Sequence, residues 1–462
     1  MFYPQKYPIH FIGIGGIGMS AIAEILIAQG YPVSGSDVRS TQLTQRLCQS
    51  GATIYHHHSP DNVTDARVVV YSSAIHSDNC EIKAARDKNI PIVHRSEMLS
   101  EIMRRGFSIA VTGSHGKTTT TGIIGEILHR ANMNPTIILG GILNTLSTNA
   151  CSGTGDYIVV EADESDASLL NLYPSIAIIT NIDQEHMDHY GSIEKVHDAF
   201  FKFANRPPFY GARILCVDDP VLASFEKTIQ NKCMTYGIKS SAQFMAQNIE
   251  EIGPFQASFD LVFENRTIDR FSLRMIGHHN VLNALAAIAA CTVLDIPWHI
   301  QKQGLSLIEG VQRRMEIRGK RDQVLVMDDY GHHPTEIVAT IKAIKTGWPD
   351  HRLCVLFQPH RYSRTKDLFD SFSKAFHQAD QLILLPIYSA GEPPIPDVSS
   401  KKLYQSIQNY LSNKVSYVDT FEQAIHVIDT SQKQLMLTLG AGDIRLAGDL
   451  FLSKGLQSTD KF

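Results

Sequence analysis

Short apolar runs rich in β-branched residues alternate with longer helix-like stretches along almost the whole chain. Between positions 9 and 105 the apolar runs are HFIGIG, YPVSGSD, ARVVVYSSA and PIVHR. Strand-like and helix-like segments that alternate in this way are typical of a parallel sheet with helices packed on its faces. The pattern therefore predicts a first α/β domain that ends near position 105.

The same alternation restarts twice further along the chain. FSIAVTGSHGKTTTTGIIGEILHR opens a second β-to-helix unit, and DYIVVEAD, SIAIITNID and ARILCVDD follow as strand-like runs before the helical stretch HHNVLNALAAIAACTVL. A third series runs from QVLVMDDYGHHPTEIVATIKAI to QLMLTLGAGDI. We therefore expect three α/β domains, at 1–105, 106–312 and 313–462.

Length and composition agree with this division and limit the classes of partner that we expect. The 462 residues correspond to about three domains of roughly 150 residues each. A net charge of -5 gives no reason to expect nucleic acid as a partner, and seven cysteines without a CxxC pair argue against zinc and disulfide frameworks. MFYPQKYPIHF lacks the features of a leader peptide, and no apolar run approaches the roughly 18 residues of a membrane span. We expect a cytoplasmic protein that binds neither nucleic acid nor membranes.

A glycine-rich turn near the N-terminus has the spacing of a dinucleotide-binding fingerprint. Gly13, Gly15 and Gly18 follow a β-like run and lead directly into an apolar helix. Asp37 follows in the sequence at about the spacing where an acidic residue would accept a hydrogen bond from a ribose hydroxyl. The turn predicts binding of a nucleotide diphosphate, and a nicotinamide-dependent dehydrogenase is one interpretation of it.

A second glycine loop, VTGSHGKTTT, points to ATP. Gly113 and Gly116 would let the backbone wrap closely around phosphate oxygens, Lys117 would supply a positive charge, and Thr118 would offer a hydroxyl to magnesium. The complete P-loop pattern needs a glycine where this chain has Val111. The alternative is a glycine-rich turn that carries an exposed lysine, but the strand before the loop and the helix after it favour the phosphate site.

Metal ligands for such a site are expected at the ends of neighbouring strands. Glu161 follows the apolar run DYIVV, and Asp183, Glu185, His186 and Asp188 follow SIAIITNI. Carboxylate oxygens are the ligands that magnesium prefers, and a histidine is a less usual one. Either cluster alone could be a solvated loop with helix-capping acids. Two clusters after a P-loop indicate a metal site.

Polar residues also follow two apolar runs in the third domain, in DDYGHHPTE and QPHRYSRT. In α/β sheets, the carboxyl ends of the strands are where ligands bind, and arginine forks bind carboxylate or phosphate at two points. The alternative is a polar rim of loop residues. The cluster consists of Asp328, Asp329, Tyr330, His332, His333, His360, Arg361, Tyr362 and Arg364. The run 56–58 of three histidines has no such placement and is interpreted as a surface loop.

Together and in this order, the motifs resemble one family across nearly the whole chain. They are GIGGIGMS, TGSHGKTTT, EADESD, TNIDQEHMDHYG, GHHN, RRMEIRG, DDYGHHPTE, HRYSRT and LGAGD. The family that they resemble is the Mur ligases of bacterial peptidoglycan synthesis. The resemblance implies an α/β fold of three domains: an N-terminal Rossmann-like parallel sheet, a central P-loop ATPase-like α/β domain and a C-terminal Rossmann-like α/β domain.

The resemblance also implies an activity, the synthesis of an amide from a carboxylate and an amine at the expense of ATP, with Mg²⁺. Within the family, the motifs are similar to those of members that join L-alanine to UDP-N-acetylmuramate. Both substrates are small molecules, and we expect a monomer or a weak homodimer. Three alternatives remain: a ligase that attaches recycled peptide to the same UDP-sugar, an NAD-dependent dehydrogenase, and a non-catalytic module switched by ATP.

Residue roles are carried over from the family to the matching positions. The UDP-sugar-binding residues would be Gly15, Gly16, Ile17, Gly18, Ser36, Asp37, Ser72 and Ser73. The ATP-binding residues would be Thr112, Gly113, Ser114, His115, Gly116, Lys117, Thr118, Thr119, Asn280, Arg314 and Asp329. The L-alanine pocket would consist of Tyr330, His332, His360, Arg361 and Arg364. Lys117, Glu161, His186 and Arg314 would be catalytic, and Thr118, Glu161 and His186 would hold magnesium.

The resemblance leaves two roles unassigned. The base that takes a proton from the alanine amine is not identified, and His332 and His360 are only candidates. Several family members support the second metal with a carbamylated lysine, but Lys202 is out of register for that role here.

Overall fold

The computed structural model describes residues 6–143, 148–229, 232–253, 255–308, 310–411 and 414–453. The first five residues, which enter the expectation about a leader peptide, lie outside this description. The chain forms two compact units. The first comprises 1–248, 259–272 and 282–309, and the second comprises 249–258, 273–281 and 310–462.

A five-stranded, all-parallel sheet forms the N-terminal part of the first unit. Its order is β3-β2-β1-β4-β5, so β1, which leads into the glycine turn, is central. The strands are β1 (Ile9–Ile12), β2 (Val33–Ser36), β3 (Thr53–Tyr55), β4 (Val68–Tyr71) and β5 (Ile92–His94). The helices are α1 (Ile17–Ala28), α2 (Gln42–Gln49), α3 (Cys80–Asp87) and α4 (Arg95–Met103), with a 3₁₀ turn at Pro60–Val63.

A ten-stranded sheet forms the central part of the chain, in the order β15-β14-β13-β12-β11-β10-β6-β9-β7-β8. From β13 to β7 the pairs are parallel, and β8 lies antiparallel to β7 at the edge. The strands are β6 (Phe107–Thr112), β7 (Thr136–Leu143), β8 (Thr148–Cys151), β9 (Tyr157–Glu161), β10 (Ile176–Ile179), β11 (Ala212–Cys216), β12 (Cys233–Gly237), β13 (Phe244–Ile252), β14 (Gln256–Phe263) and β15 (Arg266–Leu273).

Helices cover this sheet. The P-loop follows β6 and leads into the first of these helices. The helices are α5 (Lys117–Arg130), α6 (Met187–Tyr190), α7 (Ile193–Ala204), α8 (Pro220–Glu226), α9 (His278–Val293) and α10 (Trp298–Leu307), with a 3₁₀ turn at Ser168–Asn171. Residues 109–111 of β6 are fully buried because the strand lies between β10 and β9. A strand buried on both faces reads as a continuous apolar run, which is how the sequence appears there.

A six-stranded sheet in the second unit has the order β16-β17-β21-β18-β19-β20. Only the β16–β17 pair among these described strands is antiparallel. The strands are β16 (Glu316–Arg321), β17 (Val324–Asp329), β18 (Arg352–Phe357), β19 (Gln381–Leu384), β20 (Val415–Tyr417) and β21 (Gln434–Leu439). The helices are α11 (Pro334–Gly347), α12 (Tyr362–Asp367), α13 (Phe369–Lys374), α14 (Ser400–Leu411), α15 (Phe421–His426) and α16 (Arg445–Ser453).

The α/β fold class and its three successive sheets are confirmed. All seven cysteines carry free thiols, as the spacing indicates. Within the described ranges, the helices are all too short or too polar to cross a membrane. The edge hairpin β7–β8 and the strands β13 to β15 are not among the predicted elements. The domain boundaries stay predictions.

Candidate active site

The P-loop joins β6 to α5 and leaves the start of that helix open. Gly113 and Gly116 have φ values of +134° and +82°, which favour glycine, so the loop can turn without side-chain strain. Gly116 is the N-cap of α5 and supplies no side-chain hydrogen bond to the first turn. Backbone N–H groups at an uncapped helix start bind anions such as phosphate.

Neighbouring side chains hold this loop in position. A methyl group at Gly116 would lie 2.3 Å from Oδ1 of Asn283, so only glycine fits against that amide. The backbone N–H of His115 donates to Oδ1 of Asn181 at 2.9 Å, and its ring Nε2 lies 3.2 Å from Asp183. The backbone N–H of Asp183 donates to the Ser114 hydroxyl at 2.8 Å. Neither Asn181 nor Asn283 is among the predicted site residues, because both are uncharged, although Asn181 stands within the motif TNIDQEHMDHYG.

Lys117 is folded back onto its own loop. Its Nζ donates to the carbonyl oxygens of Gly113 and Ser114 at 2.6 and 3.0 Å, and to Oε1 of Glu164 at 2.8 Å. Burial lowers the pKa of Lys117, but neighbouring carboxylates, first that of Glu164, outweigh burial and raise it well above its ordinary value. The lysine is therefore a fixed positive charge at the P-loop.

Acidic side chains and a histidine surround the lysine. Glu161 ends β9, and its Oε2 accepts a hydrogen bond from the backbone N–H of Gly140 at 2.8 Å. Ligand atoms of Glu164, Glu185 and His186 all lie within 4.8 Å of one another. Two carboxylates and an imidazole are donors that suit a divalent cation, and the Glu161 carboxylate suits magnesium. The donor set around Lys117 thus fits the metal that the motifs imply.

The first glycine turn is held by Asp37. Oδ2 of this residue accepts the backbone N–H of Gly15 at 2.9 Å, and Oδ1 accepts that of Arg39 at 2.9 Å. Gly16 is the N-cap of α1 and makes no side-chain hydrogen bond, so the helix start is open, and the side chain of Ile17 is exposed beside it. A methyl group at Gly18 would lie 2.4 Å from Nη1 of Arg95.

Ser36 belongs to a buried polar network beneath this turn. Its hydroxyl donates to Oε2 of Glu81 at 2.6 Å, and Nδ1 of His58 lies 2.9 Å from the same oxygen. Burial raises the pKa of Glu81, but polar contacts from His10, Ser36 and their neighbours outweigh burial and lower it to about 2. His58 is part of this network, whereas the other two residues of 56–58 are exposed.

Ser72 and Ser73 form the turn after β4. The Ser72 carbonyl accepts the backbone N–H of Ile75 at 2.9 Å. The exposed Ser73 hydroxyl contacts Asp166 and lies 3.2 Å from Nε2 of His94. This turn therefore lies against the EADESD segment of the central sheet.

A cavity of about 230 Å³ lies between the start of α1 and the segment that follows β9. Ile17 and Gly18 line one side, and Glu161 and Asp163 line the other. Arg95 also lines it, and Nη2 of Arg95 donates to Oδ2 of Asp163 at 2.9 Å. The cavity thus joins an uncapped helix start to the acids beside the P-loop.

In the second unit, Arg314 and Asp329 lie at the end of β17. Nη1 of Arg314 donates to Oε1 of Glu336 at 3.0 Å. Asp329 is buried, and its carboxylate accepts the backbone N–H groups of Gly331 at 2.7 Å and Met315 at 2.9 Å. Burial raises the pKa of Asp329 to about 6, although these donors and Arg314 oppose the shift.

Four of the five residues expected to bind L-alanine form one chain of contacts. The rings of Tyr330 and His332 have centroids 5.4 Å apart, and those of His332 and His360 lie 5.8 Å apart. Nη1 of Arg364 lies 3.2 Å from Nδ1 of His360. Arg361, the fifth residue, has a φ of +70° and places its Nη1 3.9 Å from Glu392.

His360 lies in a positively charged environment. Its ring stacks on Tyr388 at 5.5 Å between centroids, and burial together with His332 and Arg364 lowers its pKa to about 3. A histidine with so low a pKa stays neutral and is a weak base near neutral pH. Asn280, also in the second unit, is buried, and its Nδ2 donates to the carbonyl oxygen of Ile276 at 2.8 Å.

Comparison with known proteins places these features in a family. Family models described as "Mur ligase family, catalytic domain", "Mur ligase middle domain" and "Mur ligase, glutamate ligase domain" match residues 8–107, 111–291 and 313–442. The chain is 47% identical to the UDP-N-acetylmuramate-L-alanine ligase of Desulforapulum autotrophicum, over 97% of this chain and 99% of the relative. The chain belongs to the Mur ligase family. The corresponding ligase of Desulfatibacillum aliphaticivorans is 45% identical to this Mur ligase, over 98% and 99% of the two chains.

Solved structures agree with this assignment. The UDP-N-acetylmuramate-alanine ligase of Thermotoga maritima superimposes on this Mur ligase with a TM-score of 0.84 and 29% identity, over 98% of this chain and all of the other. A murein peptide ligase of Psychrobacter arcticus has a TM-score of 0.71 and 24% identity, over 99% of this chain, and shares the fold. The family expected from the motifs is confirmed. The residue roles stay predictions.

Proposed function

We propose that this Mur ligase joins L-alanine to the lactyl carboxylate of UDP-N-acetylmuramate, forming UDP-N-acetylmuramoyl-L-alanine, ADP and phosphate. The observation that carries the proposal is 45% to 47% identity, over nearly the full chain, to proteins named for this reaction. The similarity to a murein peptide ligase is weaker, at 24% identity, which favours L-alanine over a recycled peptide as the amine substrate. A dehydrogenase would leave the P-loop and its lysine without a role.

The UDP-sugar would bind at the first glycine turn. Its diphosphate would meet the open start of α1, formed by Gly15, Gly16, Ile17 and Gly18. Asp37 would contact the uridine half, and Ser36 and the turn of Ser72 and Ser73 would line the rest of the site. The cavity beside Arg95 and Glu161 would then receive the lactyl end of the substrate. This placement would bring the reacting carboxylate towards the P-loop.

ATP would bind at the P-loop residues Thr112 to Thr119, with Lys117 at the γ-phosphate. Thr118, Glu161 and His186 would hold magnesium, which lowers the repulsion between the two anionic reactants. Asn280 would read adenine, Asp329 would bond the ribose, and Arg314 would reach the phosphates. Because both oxygens of Asp329 accept backbone N–H groups, a ribose hydroxyl would share one of them.

The chemistry follows from the poor reactivity of a carboxylate towards amines. The lactyl carboxylate attacks the γ-phosphorus of ATP, so that an acyl phosphate forms and ADP leaves. The amine of L-alanine then attacks the acyl carbon, and phosphate leaves with one of the original carboxylate oxygens. Lys117 stabilises the negative charge that is transferred in the first step.

L-Alanine would bind at Tyr330, His332, His360, Arg361 and Arg364. Guanidinium groups bind carboxylates at two points, so the arginines would take the carboxylate of the amino acid. His360 would act as a neutral hydrogen-bonding partner of Arg364, because its low pKa does not suit a base. His332 then remains the candidate base. We place the enzyme in the cytoplasm, as a monomer or a weak homodimer.

Release of phosphate from ATP tests this function. We expect release only when UDP-N-acetylmuramate and L-alanine are both present. UDP-N-acetylglucosamine, which lacks the lactyl group, and D-alanine serve as matched controls and should give no release. Faster release with a peptide than with L-alanine would favour the peptide ligase, and binding of NAD in preference to the UDP-sugar would favour the dehydrogenase.

A further inference from the structure

Glu164 is a buried carboxylate at the P-loop that none of the expected site roles includes. Its side chain is 5% exposed, and Oε1 lies 2.8 Å from Nζ of Lys117 and 3.5 Å from Nε2 of His186. The hydroxyl of Tyr190 donates to its backbone carbonyl at 2.6 Å, which fixes the loop that carries it. Glu164 therefore lies between the lysine expected to bind phosphate and the histidine expected to bind a metal ion.

Glu164 helps to hold Lys117 in a position that conflicts with phosphate binding. The ammonium group has three donors, and its three acceptors are Glu164 and the carbonyl oxygens of Gly113 and Ser114. A γ-phosphate that binds Lys117 must replace at least one of these acceptors. The carboxylate also repels phosphate oxygens, so it is the acceptor whose replacement removes most repulsion.

The second oxygen of Glu164 is available to a cation. Among the residues that the structure describes, Oε2 is buried and has no hydrogen-bond partner. A buried carboxylate oxygen without a donor is costly, and cations commonly satisfy such groups. Glu185 and His186 place ligand atoms within 4.8 Å of Glu164 and of each other. The unpaired oxygen and this donor set are independent observations that point to a divalent cation.

We propose that Glu164 exchanges partners during the reaction cycle: it holds Lys117 before ATP binds, and it becomes a ligand of a divalent cation, with Glu185 and His186, once ATP takes the lysine. The proposal rests on the proposed function, because it requires ATP at the P-loop. A buried carboxylate that loses its lysine needs another positive charge, and a cation supplies that charge. Nucleotide and metal binding are then linked, each strengthening the other.

Glu164→Gln tests both parts of the proposal, the hold on Lys117 before ATP binds and the binding of a cation afterwards. We would measure the Kd of ATP by calorimetry in EDTA, and the Kd of Mn²⁺ for the ATP-saturated enzyme from the paramagnetic resonance of free Mn²⁺. Without metal, the variant should bind ATP several-fold more tightly, because repulsion is removed and Lys117 is released. With ATP bound, its affinity for Mn²⁺ should fall about tenfold or more, as for loss of other groups around a metal. A merely structural role would not move the two constants in opposite directions.

Two further variants control the experiment. Glu126→Gln removes a buried acid on α5, the helix that begins at Lys117. Glu126 pairs with Arg130 at 2.9 Å, and its loss should change neither constant. Glu164→Asp keeps the charge and should recover part of the Mn²⁺ affinity. Unchanged constants in Glu164→Gln, or a parallel loss of both affinities, would overturn this proposal alone. Failure of the wild-type enzyme to bind ATP would instead contradict the proposed function.

Discussion

Lys117 meets two opposing requirements at the scale of a single residue. Its ammonium group must stay charged in a partly buried position, and the neighbouring carboxylates secure this by raising its pKa. The same group must also be available to a phosphate, although three oxygens of the protein already accept its protons. A test of its proposed role in catalysis should therefore follow binding of the UDP-sugar separately.

Lys117→Ala should lower kcat for ligation by at least about a hundredfold, because a charge that stabilises the transferred phosphoryl group is lost. The Kd of UDP-N-acetylmuramate should not change, since that substrate is assigned to the first glycine turn. Steady-state kinetics and calorimetry measure the two quantities. Lys202→Ala removes an exposed lysine paired with Asp198 and is the matched control. Ligation at the wild-type rate in Lys117→Ala would contradict the assignment of the ATP phosphates to the P-loop.

Arg364→Ala should raise KM for L-alanine by about ten- to a hundredfold and leave KM for ATP unchanged. The reason is the loss of a charge-assisted hydrogen bond to the amino-acid carboxylate, worth roughly 1.5–3 kcal/mol. Initial rates at varied L-alanine measure the effect. Arg318→Ala, which removes a partly exposed arginine paired with Asp449, should have no effect. An unchanged requirement for L-alanine would exclude Arg364 from the pocket.

At the scale of elements, the two proposed nucleotide sites share one arrangement, a strand that leads through glycines into a helix without a side-chain cap. Gly16 and Gly116 are the N-caps of α1 and α5, and neither makes a side-chain hydrogen bond to its helix. The open N–H groups are then available to a diphosphate or a triphosphate. The spacing of the glycines cannot tell which nucleotide binds, and residues distant in sequence must distinguish the two sites.

Gly116→Ala tests how tightly the P-loop is packed. The new methyl group would lie 2.3 Å from Oδ1 of Asn283, and the φ of +82° would be strained, so the loop should shift. We expect at least a tenfold rise in the Kd of ATP, measured by calorimetry, which corresponds to about 1.4 kcal/mol. Gly253→Ala has a φ of +64° and open space around the added methyl, and it should cost only roughly 1–2 kcal/mol of stability. Unaltered ATP binding in Gly116→Ala would contradict this packing.

Glu81, on α3, contacts His10 of β1 and Ser36 of β2, and its carboxylate gives the N-terminal sheet a pH-dependent stability. Its pKa falls from 4.5 to about 2 on folding, which corresponds to about 3 kcal/mol of unfolding free energy near neutral pH. For a carboxyl group whose pKa is lowered, this contribution is present above 4.5 and is lost as the pH falls towards 2.

Glu81→Gln should therefore lower the unfolding free energy near neutral pH by about 3 kcal/mol, and the difference from wild type should shrink on acidification. Urea unfolding at a series of pH values measures this difference. Glu101→Gln, at an exposed acid paired with Arg104, should match the wild type throughout. A deficit that is the same at all pH values would rule out this role for the Glu81 charge.

At these elements, the sequence predicts the site residues that belong to a local motif, because their neighbours along the chain identify them. The P-loop and the acids after the strands are local patterns. The structure places Glu161 at the end of β9, and it places His186 beyond the end of β10, 3.5 Å from the Glu164 carboxylate that pairs with Lys117. The Asn283 contact with Gly116 and the Arg95 pair with Asp163 join distant segments, which no local spacing reveals. The interpretation of 56–58 as a surface loop is wrong for His58, because its partner Glu81 lies on α3, distant in sequence.

At the scale of the whole molecule, three sheets follow one another along the chain, and the proposed reaction would draw on a separate site in each. The order of the motifs predicts this architecture, because each glycine loop or polar cluster follows a new series of strands. Strands β13 to β15 escape prediction, because their polar and charged positions interrupt the apolar runs that mark the other strands. Such a division would have a chemical consequence, since the proposed acyl phosphate would have to persist until the amine reaches it.

The path of one oxygen atom tests the central claim most directly. UDP-N-acetylmuramate with a heavy oxygen isotope in its lactyl carboxylate would be converted with unlabelled ATP and L-alanine, and the phosphate released would be analysed by mass spectrometry. Ligation through an acyl phosphate transfers one carboxylate oxygen to phosphate, so each turnover should yield one labelled phosphate. Unlabelled phosphate, accompanied by formation of the amide, would contradict the account.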